Sequence, residues 1–306
     1  MRYTIFHRTA YRYEGPVHES HTVLHLQPRS DMTQYCTQFT LDIAPRTRLF
    51  SYADRYGNDV QHFAVLPEHD TLEIVARSYV VTARGEAGPP APLSRGLIAA
   101  DPQLDTLYDF LHESAYVSFC PALGELADEI GDLGPDDDAV AWYARAAATI
   151  HRGFVYDTGA TAVHTTVDES IQLRRGVCQD YAHVLVALCR RAGIPARYVS
   201  GYIHTGGNDD VLGAEASHAW CEAYLGPHGW VGIDPTNDTW IGDGFVRIAV
   251  GRDYRDVSPV RGVYRGAGES TMSVDVAMSP LLPAEQSQSQ SQSQSQQSQS
   301  QQQSQQ

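Results

Sequence analysis

The segment that decides the fold begins with Gly176-Val177-Cys178-Gln179-Asp180-Tyr181-Ala182-His183 and continues to Ala192. Within it, apolar side chains recur on one stripe at helical spacing, and Gly193 and then Pro195 follow as signals that end a helix. We therefore predict a helix that begins at Cys178 and ends at Ala192.

Cys178 occupies the first turn of this predicted helix. Free backbone N–H groups, the positive end of the helix dipole and the preceding Arg174 and Arg175 would all favour its thiolate, which is the nucleophilic form. The apolar stripe fits a core cysteine equally well. A partner base elsewhere in the chain must therefore distinguish a nucleophile from a packing residue.

A histidine and an aspartate in a predicted hairpin supply that partner. Residues 217–224 alternate as a strand with His218 on one face, and after a turn near Gly226 the chain returns in a strand that ends at Asp234. A hairpin centred on Gly226 makes His218 and Asp234 cross-strand neighbours. Cysteine, imidazole and carboxylate are the nucleophile, base and orienting acid that acyl-transfer sites need.

The pattern changes along the chain predict four regions. Residues 1–84 alternate with a period of two and carry frequent turn signals, which indicates a small antiparallel β-sandwich. A linker rich in Pro and Gly follows at 85–97, and helices followed by strands over 98–265 are typical of an α+β domain. We expect 266–306 to be a C-terminal extension with a disordered tail, because residues 286–306 are all Gln or Ser.

Charge and cysteine usage limit the partners. The 306 residues carry a formal net charge of −15, and such a surface repels polyphosphate, so we expect no nucleic acid partner. Five cysteines without a CxxC pair argue against a disulfide framework and a thiolate zinc site, and indicate a reducing compartment. No apolar stretch has the length of a signal peptide or membrane span, so we expect a cytoplasmic protein without membrane contact.

Four ordered motifs in the second half of the chain resemble the transglutaminase-like family in its bacterial form. They are residues 176–183, residues 190–202, His218-Ala219-Trp220 with Glu222, and Asp234-Pro235-Thr236-Asn237. Residues 1–84, with Tyr11-Arg12-Tyr13 and Tyr56-Gly57-Asn58, resemble the β-rich region that often precedes this core in bacterial proteins. The resemblance implies an α+β protein in which helices pack on the antiparallel sheet of a papain-like core.

The resemblance also implies roles for the three residues identified above. Cys178 would be the nucleophile, His218 the general base and acid, and Asp234 the residue that orients His218. These are the positions that the helix and hairpin patterns select independently. The backbone N–H of Cys178 is a natural donor to the oxyanion of the tetrahedral intermediate.

A side-chain oxyanion donor and the walls of the substrate cleft are less well defined. Tyr156 is one candidate donor, and Gln172 is another, because it lies six residues before Cys178 as in papain-like proteases. Within the motifs, Trp220 and Gln179 are the candidates for lining the cleft.

The implied reaction is acyl transfer or hydrolysis on protein or peptide amides through a thioester, with no cofactor. Transferase, deamidase and protease use the same triad, so the residues leave the acceptor open. A different class of function is a catalytically silent module that binds peptides or serves as a scaffold. A zinc protein using Cys178, Cys189 and His218 is a third, although their spacing is not typical of a zinc site.

Overall fold

A computed structural model of the chain describes residues 1–208, 210–213, 216–266 and 268–281. The predicted Gln/Ser tail therefore lies outside the described residues. The α-helices in the described part are α1 (Arg95–Ala99), α2 (Pro121–Ile130), α3 (Ala139–Gly153), α4 (Val167–Leu173), α5 (Cys178–Arg191) and α6 (Tyr254–Val257). None of these helices is both long and apolar enough to cross a bilayer.

The described strands form two antiparallel sheets and one two-stranded parallel pair. They are β1 (Arg2–Leu24), β2 (Gln34–Ala44), β3 (Leu49–Ala53), β4 (Asp59–Val65), β5 (His69–Thr82), β6 (Val155–Tyr156), β7 (Arg175–Gly176), β8 (Ala196–Ile203), β9 (His218–Tyr224), β10 (Trp230–Asp234), β11 (Thr239–Trp240), β12 (Phe245–Gly251), β13 (Val260–Gly266) and β14 (Ser270–Pro280). Short 3-10 helices cover Leu104–Phe110 and Gly226–His228.

The N-terminal sheet is organised around the 23-residue strand β1, and the expected sandwich takes the form of one curled sheet of seven strands. The first half of β1 pairs with β5 and β14, and the second half pairs with β4 and β13. The register with β5 shifts between Arg12 and Val17, where the two halves meet. Alternate residues of β1 are buried, as a sheet with one face on the core requires.

Two strands of this sheet come from the other end of the chain. The sequence patterns predict a core over 98–265 followed by an extension. In the structure, the chain returns to the N-terminal sheet at Val260, before the predicted end of the core. There β13 and β14 pair with the edge of β1 that the strands of residues 1–84 leave open. Pairing that edge satisfies its backbone N–H and C=O groups, which gives a physical reason for the return.

The second sheet has the order β11-β10-β9-β8-β12, and helix α5 packs on one face of it. Small side chains on β9, Ala219, Cys221 and Ala223, belong to the same buried cluster as the apolar residues of α5. The helix begins at Cys178, as predicted, and Gly193 after its end adopts a φ of 76°. That left-handed conformation is the usual end of a helix at glycine.

The hairpin of β9 and β10 differs in register from the prediction. Ile233 pairs with Cys221, so the same register places Asp234 opposite Trp220 and diagonal to His218. The 3-10 turn at Gly226–His228 lies between the strands and centres the hairpin one residue later than Gly226. Diagonal neighbours on one face of a sheet remain within reach of long side chains.

Candidate active site

A buried imidazole–carboxylate pair lies where β9 begins and β10 ends. His218 Nε2 is 2.7 Å from Asp234 Oδ2, and both side chains are completely buried. The carboxylate also accepts hydrogen bonds from the backbone N–H of Thr236 at 2.9 Å and from Asn237 Nδ2 at 2.7 Å. These three donors fix the orientation of the carboxylate and, through it, the imidazole ring.

The charge of Asp234 controls the protonation of His218. Burial alone would lower the pKa of His218, but the charge and hydrogen bond of Asp234, together with the nearby Cys178 side chain, raise it to about 10. At neutral pH the ring is therefore an imidazolium. Its other nitrogen, Nδ1, is buried, and Cys178 is the second side chain that acts on the ring.

Cys178 lies at the start of α5, and Asp180 holds that start in place. The carboxylate of Asp180 accepts a hydrogen bond from the Val177 N–H at 2.8 Å and from the Thr161 hydroxyl at 2.7 Å. Cys178 keeps 8% of its surface exposed. Its backbone N–H belongs to the first helical turn, where N–H groups lack an acceptor within the helix.

Two tyrosines, Tyr198 of β8 and Tyr254 of α6, lie within electrostatic range of the Cys178 side chain. Burial is the main cause that raises the pKa of both Tyr198 and Tyr254, and the charge of Cys178 contributes to each. The thiol therefore lies among aromatic side chains close to the imidazolium of His218.

The loop that precedes β9 passes directly over the imidazole. Gly213 has a φ of 80°, and a Cβ built there would lie 2.6 Å from His218 Nδ1 and 3.4 Å from the Tyr156 hydroxyl. Any side chain at this position would collide with the ring, so glycine is required for this approach. The Tyr156 hydroxyl and His218 Nδ1 thus flank the same point, so Tyr156 lies beside the imidazole.

Gln172 does not lie at the site, so its assignment as an oxyanion donor is wrong. It is exposed on α4, and its Nε2 donates a hydrogen bond to Asp168 Oδ2, one turn earlier, at 2.8 Å. The buried face of α4 consists of Val167, Ser170 and Ile171. The periodicity of this helix turns residue 172 away from Cys178.

One of the two predicted cleft residues, Trp220, is wrong, whereas Gln179 keeps 8% of its surface exposed, as much as Cys178 does. Trp220 is completely buried in a cluster with Phe245, and its ring centroid is 6.4 Å from that of His218, so it packs behind the imidazole. Gln179 is nearly buried, and its Nε2 donates to the Val163 carbonyl at 3.1 Å. Alternation places Trp220 on the face of His218, but that face is covered by protein.

The remaining buried cysteines do not join the site. Cys189 and Cys221 are buried in the core between α5 and the sheet, where burial raises the pKa of Cys189 well above its ordinary value. Across the described ranges, His, Cys, Asp and Glu side chains form no group of three that could hold a metal ion.

Asn237 and Gly213 are the site residues that sequence reasoning missed. Asn237 Nδ2 donates hydrogen bonds to the Asp234 carboxylate and, at 3.2 Å, to the Leu212 carbonyl. Asn237 Oδ1 accepts a hydrogen bond from the Leu212 N–H at 2.9 Å. Its position directly after Asp234-Pro235-Thr236 was a usable signal. Gly213 had none, because its contact with the ring depends on the path of a loop.

Comparisons with known proteins identify the family of both halves of the chain. Residues 125–235 match the model of the transglutaminase-like superfamily, and residues 3–81 match the bacterial transglutaminase-like N-terminal region. A crystal structure of a candidate cysteine protease from Cytophaga hutchinsonii superposes with a TM-score of 0.71 at 23% identity, covering 93% of this chain and 92% of that one. The two proteins share a fold.

Similarity in sequence extends over nearly the whole chain. An uncharacterized protein of Mycobacterium tuberculosis is 36% identical, over 91% of this chain and 93% of its own length. A protein-glutamine gamma-glutamyltransferase of Pseudomonas aeruginosa is 33% identical over 38% of this chain and 18% of that protein. With both of its regions matched in chain order, the protein belongs to the transglutaminase-like superfamily.

Proposed function

We propose that the protein is a cysteine-dependent enzyme that transfers or hydrolyses acyl groups of protein or peptide amides, with Cys178, His218 and Asp234 as its triad. The observation that carries this proposal is the fully buried His218–Asp234 pair, whose imidazole also interacts with the side chain of Cys178 at a helix N-terminus. Asp234 and Cys178 raise the pKa of His218 to about 10, and shifted pKa values of this kind cluster at functional sites.

The chemistry follows from the two ring nitrogens. Nε2 is held by Asp234, so Nδ1 is the nitrogen that exchanges protons. The Cys178 thiolate attacks the amide carbon, forming a C–S bond, and Nδ1 gives its proton to the leaving nitrogen as the C–N bond breaks. Nδ1 then takes a proton from water or an amine, which attacks the thioester and releases the Cys178 thiolate.

The oxyanion of each tetrahedral intermediate needs hydrogen-bond donors. The N–H of Cys178 is one, because the first helical turn leaves it without an acceptor within the helix. The Tyr156 hydroxyl is the proposed second donor, since it lies beside the point that Gly213 and His218 Nδ1 share. One relative, named as a protein-glutamine gamma-glutamyltransferase, supports transfer to an amine, and transfer to water would give deamidation or cleavage.

The test compares Cys178→Ala with a matched cysteine variant, Cys36→Ala, which removes a half-buried thiol from the N-terminal sheet. The wild type and both variants are incubated with a Gln-containing protein, with and without a primary amine. The products are identified by mass spectrometry. Only the wild type and C36A should deamidate, cleave or label the substrate, and iodoacetamide should abolish this activity.

Each outcome separates the classes of function. Amine incorporation identifies a transferase, a gain of one mass unit a deamidase, and shortened chains a protease. Equal turnover by C178A and wild type would refute the proposal. A wild type whose Cys178 is alkylated normally but which turns over no substrate would instead indicate the silent binding module.

A further inference from the structure

The first turn of α5 contains a buried carboxylate that the proposed chemistry does not use. Asp180 lies two residues after Cys178 and keeps 3% of its surface exposed. Three neutral donors bind it: the Val177 N–H at 2.8 Å, the Thr161 hydroxyl at 2.7 Å and the Ser170 hydroxyl at 3.3 Å. Such donors replace the water that a buried charge has lost. They come from three segments, which the carboxylate therefore connects.

One of these connections fixes the residue before Cys178 through both of its backbone groups. The side chain of Asp180 accepts the Val177 N–H, and the backbone N–H of Asp180 donates to the Val177 carbonyl at 2.9 Å. The next N–H groups of the turn, those of Cys178 and Gln179, are left for an acceptor beyond the end of the helix. Asp180 therefore sets the direction in which these two donors point.

The other connections lead to the strand that contains Tyr156. The carboxylate of Asp180 packs so closely on Gly176 that any Cβ there would collide with it. Gly176 in turn pairs with Tyr156 in the parallel pair of β6 and β7. Thr161 and Ser170 belong to the loop and the helix that follow Tyr156 along the chain. The carboxylate thus ties β6 and the segment after it to the start of α5.

We propose that Asp180 is a positioning residue for the oxyanion site of the proposed acyl-transfer reaction, and this inference rests on that reaction. The two donors assigned to the oxyanion, the Cys178 N–H and the Tyr156 hydroxyl, belong to different elements. Asp180 fixes these elements relative to each other through Val177 and Gly176. Donors held in place before the reaction stabilise the oxyanion without a cost of reorganisation.

These connections need a carboxylate, and not only a side chain of its size. Burial raises the pKa of Asp180 above its ordinary value, and the hydrogen bonds from Val177, Thr161 and Ser170 oppose that rise because they favour the charged form. An asparagine has the same shape but one acceptor oxygen, and its NH2 group would face another donor. Asp180→Asn should therefore keep the fold and loosen the connections.

The experiment compares two reactions of the Cys178 thiol that differ in their need for an oxyanion site. Acylation by p-nitrophenyl acetate forms a C–S bond through a tetrahedral oxyanion and releases p-nitrophenolate, which is followed by absorbance. Alkylation by iodoacetamide forms a C–S bond and releases iodide in one step, without an oxyanion, and is followed at Cys178 by peptide mass spectrometry. Acylation measured with Cys178→Ala gives the background.

Asp180→Asn should slow acylation by at least about ten-fold and leave the rate of alkylation close to that of the wild type. Loss of a nearby negative charge favours a thiolate, so slower alkylation would mean that the start of the helix itself had moved. Asp168→Asn is the matched control, because it removes an acid from the first turn of α4. It should change neither rate.

A second pair of variants keeps Asp180 and changes one of its donors, which decides the question if D180N does not fold. Thr161→Val removes the hydroxyl and should slow acylation, whereas Thr161→Ser keeps a hydroxyl and should restore the rate. Equal losses of acylation and alkylation, or acylation that stays unchanged in D180N and T161V, would overturn the role of Asp180. Wild-type acylation no faster than that of C178A would instead refute the proposed function itself.

Discussion

At the residue scale, the proposed chemistry depends on one carboxylate. Asp234 is the charge that keeps His218 protonated, and it receives three hydrogen bonds in a buried position. A neutral group there would bind the other tautomer equally well and leave the imidazolium without a counter-charge. The orientation and the acidity of the ring therefore have the same origin.

Asp234→Asn should lower kcat by about 10² to 10⁴ with little change in fold. Asp234 raises the pKa of His218 to about 10, so removal of the Asp234 charge should lower the pKa of His218. The basic limb of the pH–rate profile should then move to lower pH. Asp42→Asn, on an exposed ion pair, is the control that should leave both unchanged. An unaltered pH profile in D234N would show that Asp234 does not set the ring's charge.

At the scale of elements, a loop is joined to the proposed triad by one side chain. Asn237 bonds Leu212 through both backbone groups and Asp234 through the same amide. Leu212 precedes Gly213, which lies over His218 Nδ1. Movement of this loop is therefore coupled to the carboxylate that holds the ring.

Asn237→Ala should speed hydrogen exchange at the Leu212 amide and lower kcat by roughly ten-fold. The substitution removes the hydrogen bonds of Asn237 to Leu212 and to Asp234. Asn208→Ala is the matched control, since Asn208 lies in the same loop and its side chain accepts only a local bond from Asp210 in the described structure. Hydrogen exchange followed by mass spectrometry measures the first effect. Continued protection of Leu212 in N237A would contradict the coupling.

The elements also show what the sequence could and could not predict. Helix α5 and its start at Cys178 follow from local signals, and so do β9 and β10. The partner of Asp234 across the hairpin was displaced by two residues, because the 3-10 turn between the strands is not encoded in their alternation. The predictions for Gln172 and Trp220 were wrong for a related reason. Local sequence determines which face of an element a residue occupies, but the packing of distant segments determines what covers that face.

At the scale of the whole molecule, the five-stranded sheet that carries His218 and the N-terminal sheet are joined by buried polar contacts. Arg247 of β12 bonds Asp31, Asn58 bonds both backbone groups of Val250, and His7 bonds the Tyr202 hydroxyl at 2.7 Å. Glu222 lies at the centre of the charged part of this interface. Local periodicity could not predict this interface, because its residues come from distant parts of the chain.

Glu222→Gln should destabilise the whole protein by about 3–5 kcal/mol, because it leaves Arg197 and Arg247 buried without their carboxylate. Arg247 and Arg197 lower the pKa of Glu222 to about 2 against the effect of burial. Its contribution is therefore complete above the ordinary value of 4.5 and is lost as pH falls through about 2. Urea unfolding measures this: the difference in unfolding free energy between wild type and E222Q should narrow as pH falls from 4.5 to about 2. The control variant Asp42→Asn, which removes an exposed ion pair, should cost less than about 1 kcal/mol. A gap that stays constant down to pH 2 would mean that packing, and not the charge of Glu222, holds this interface together.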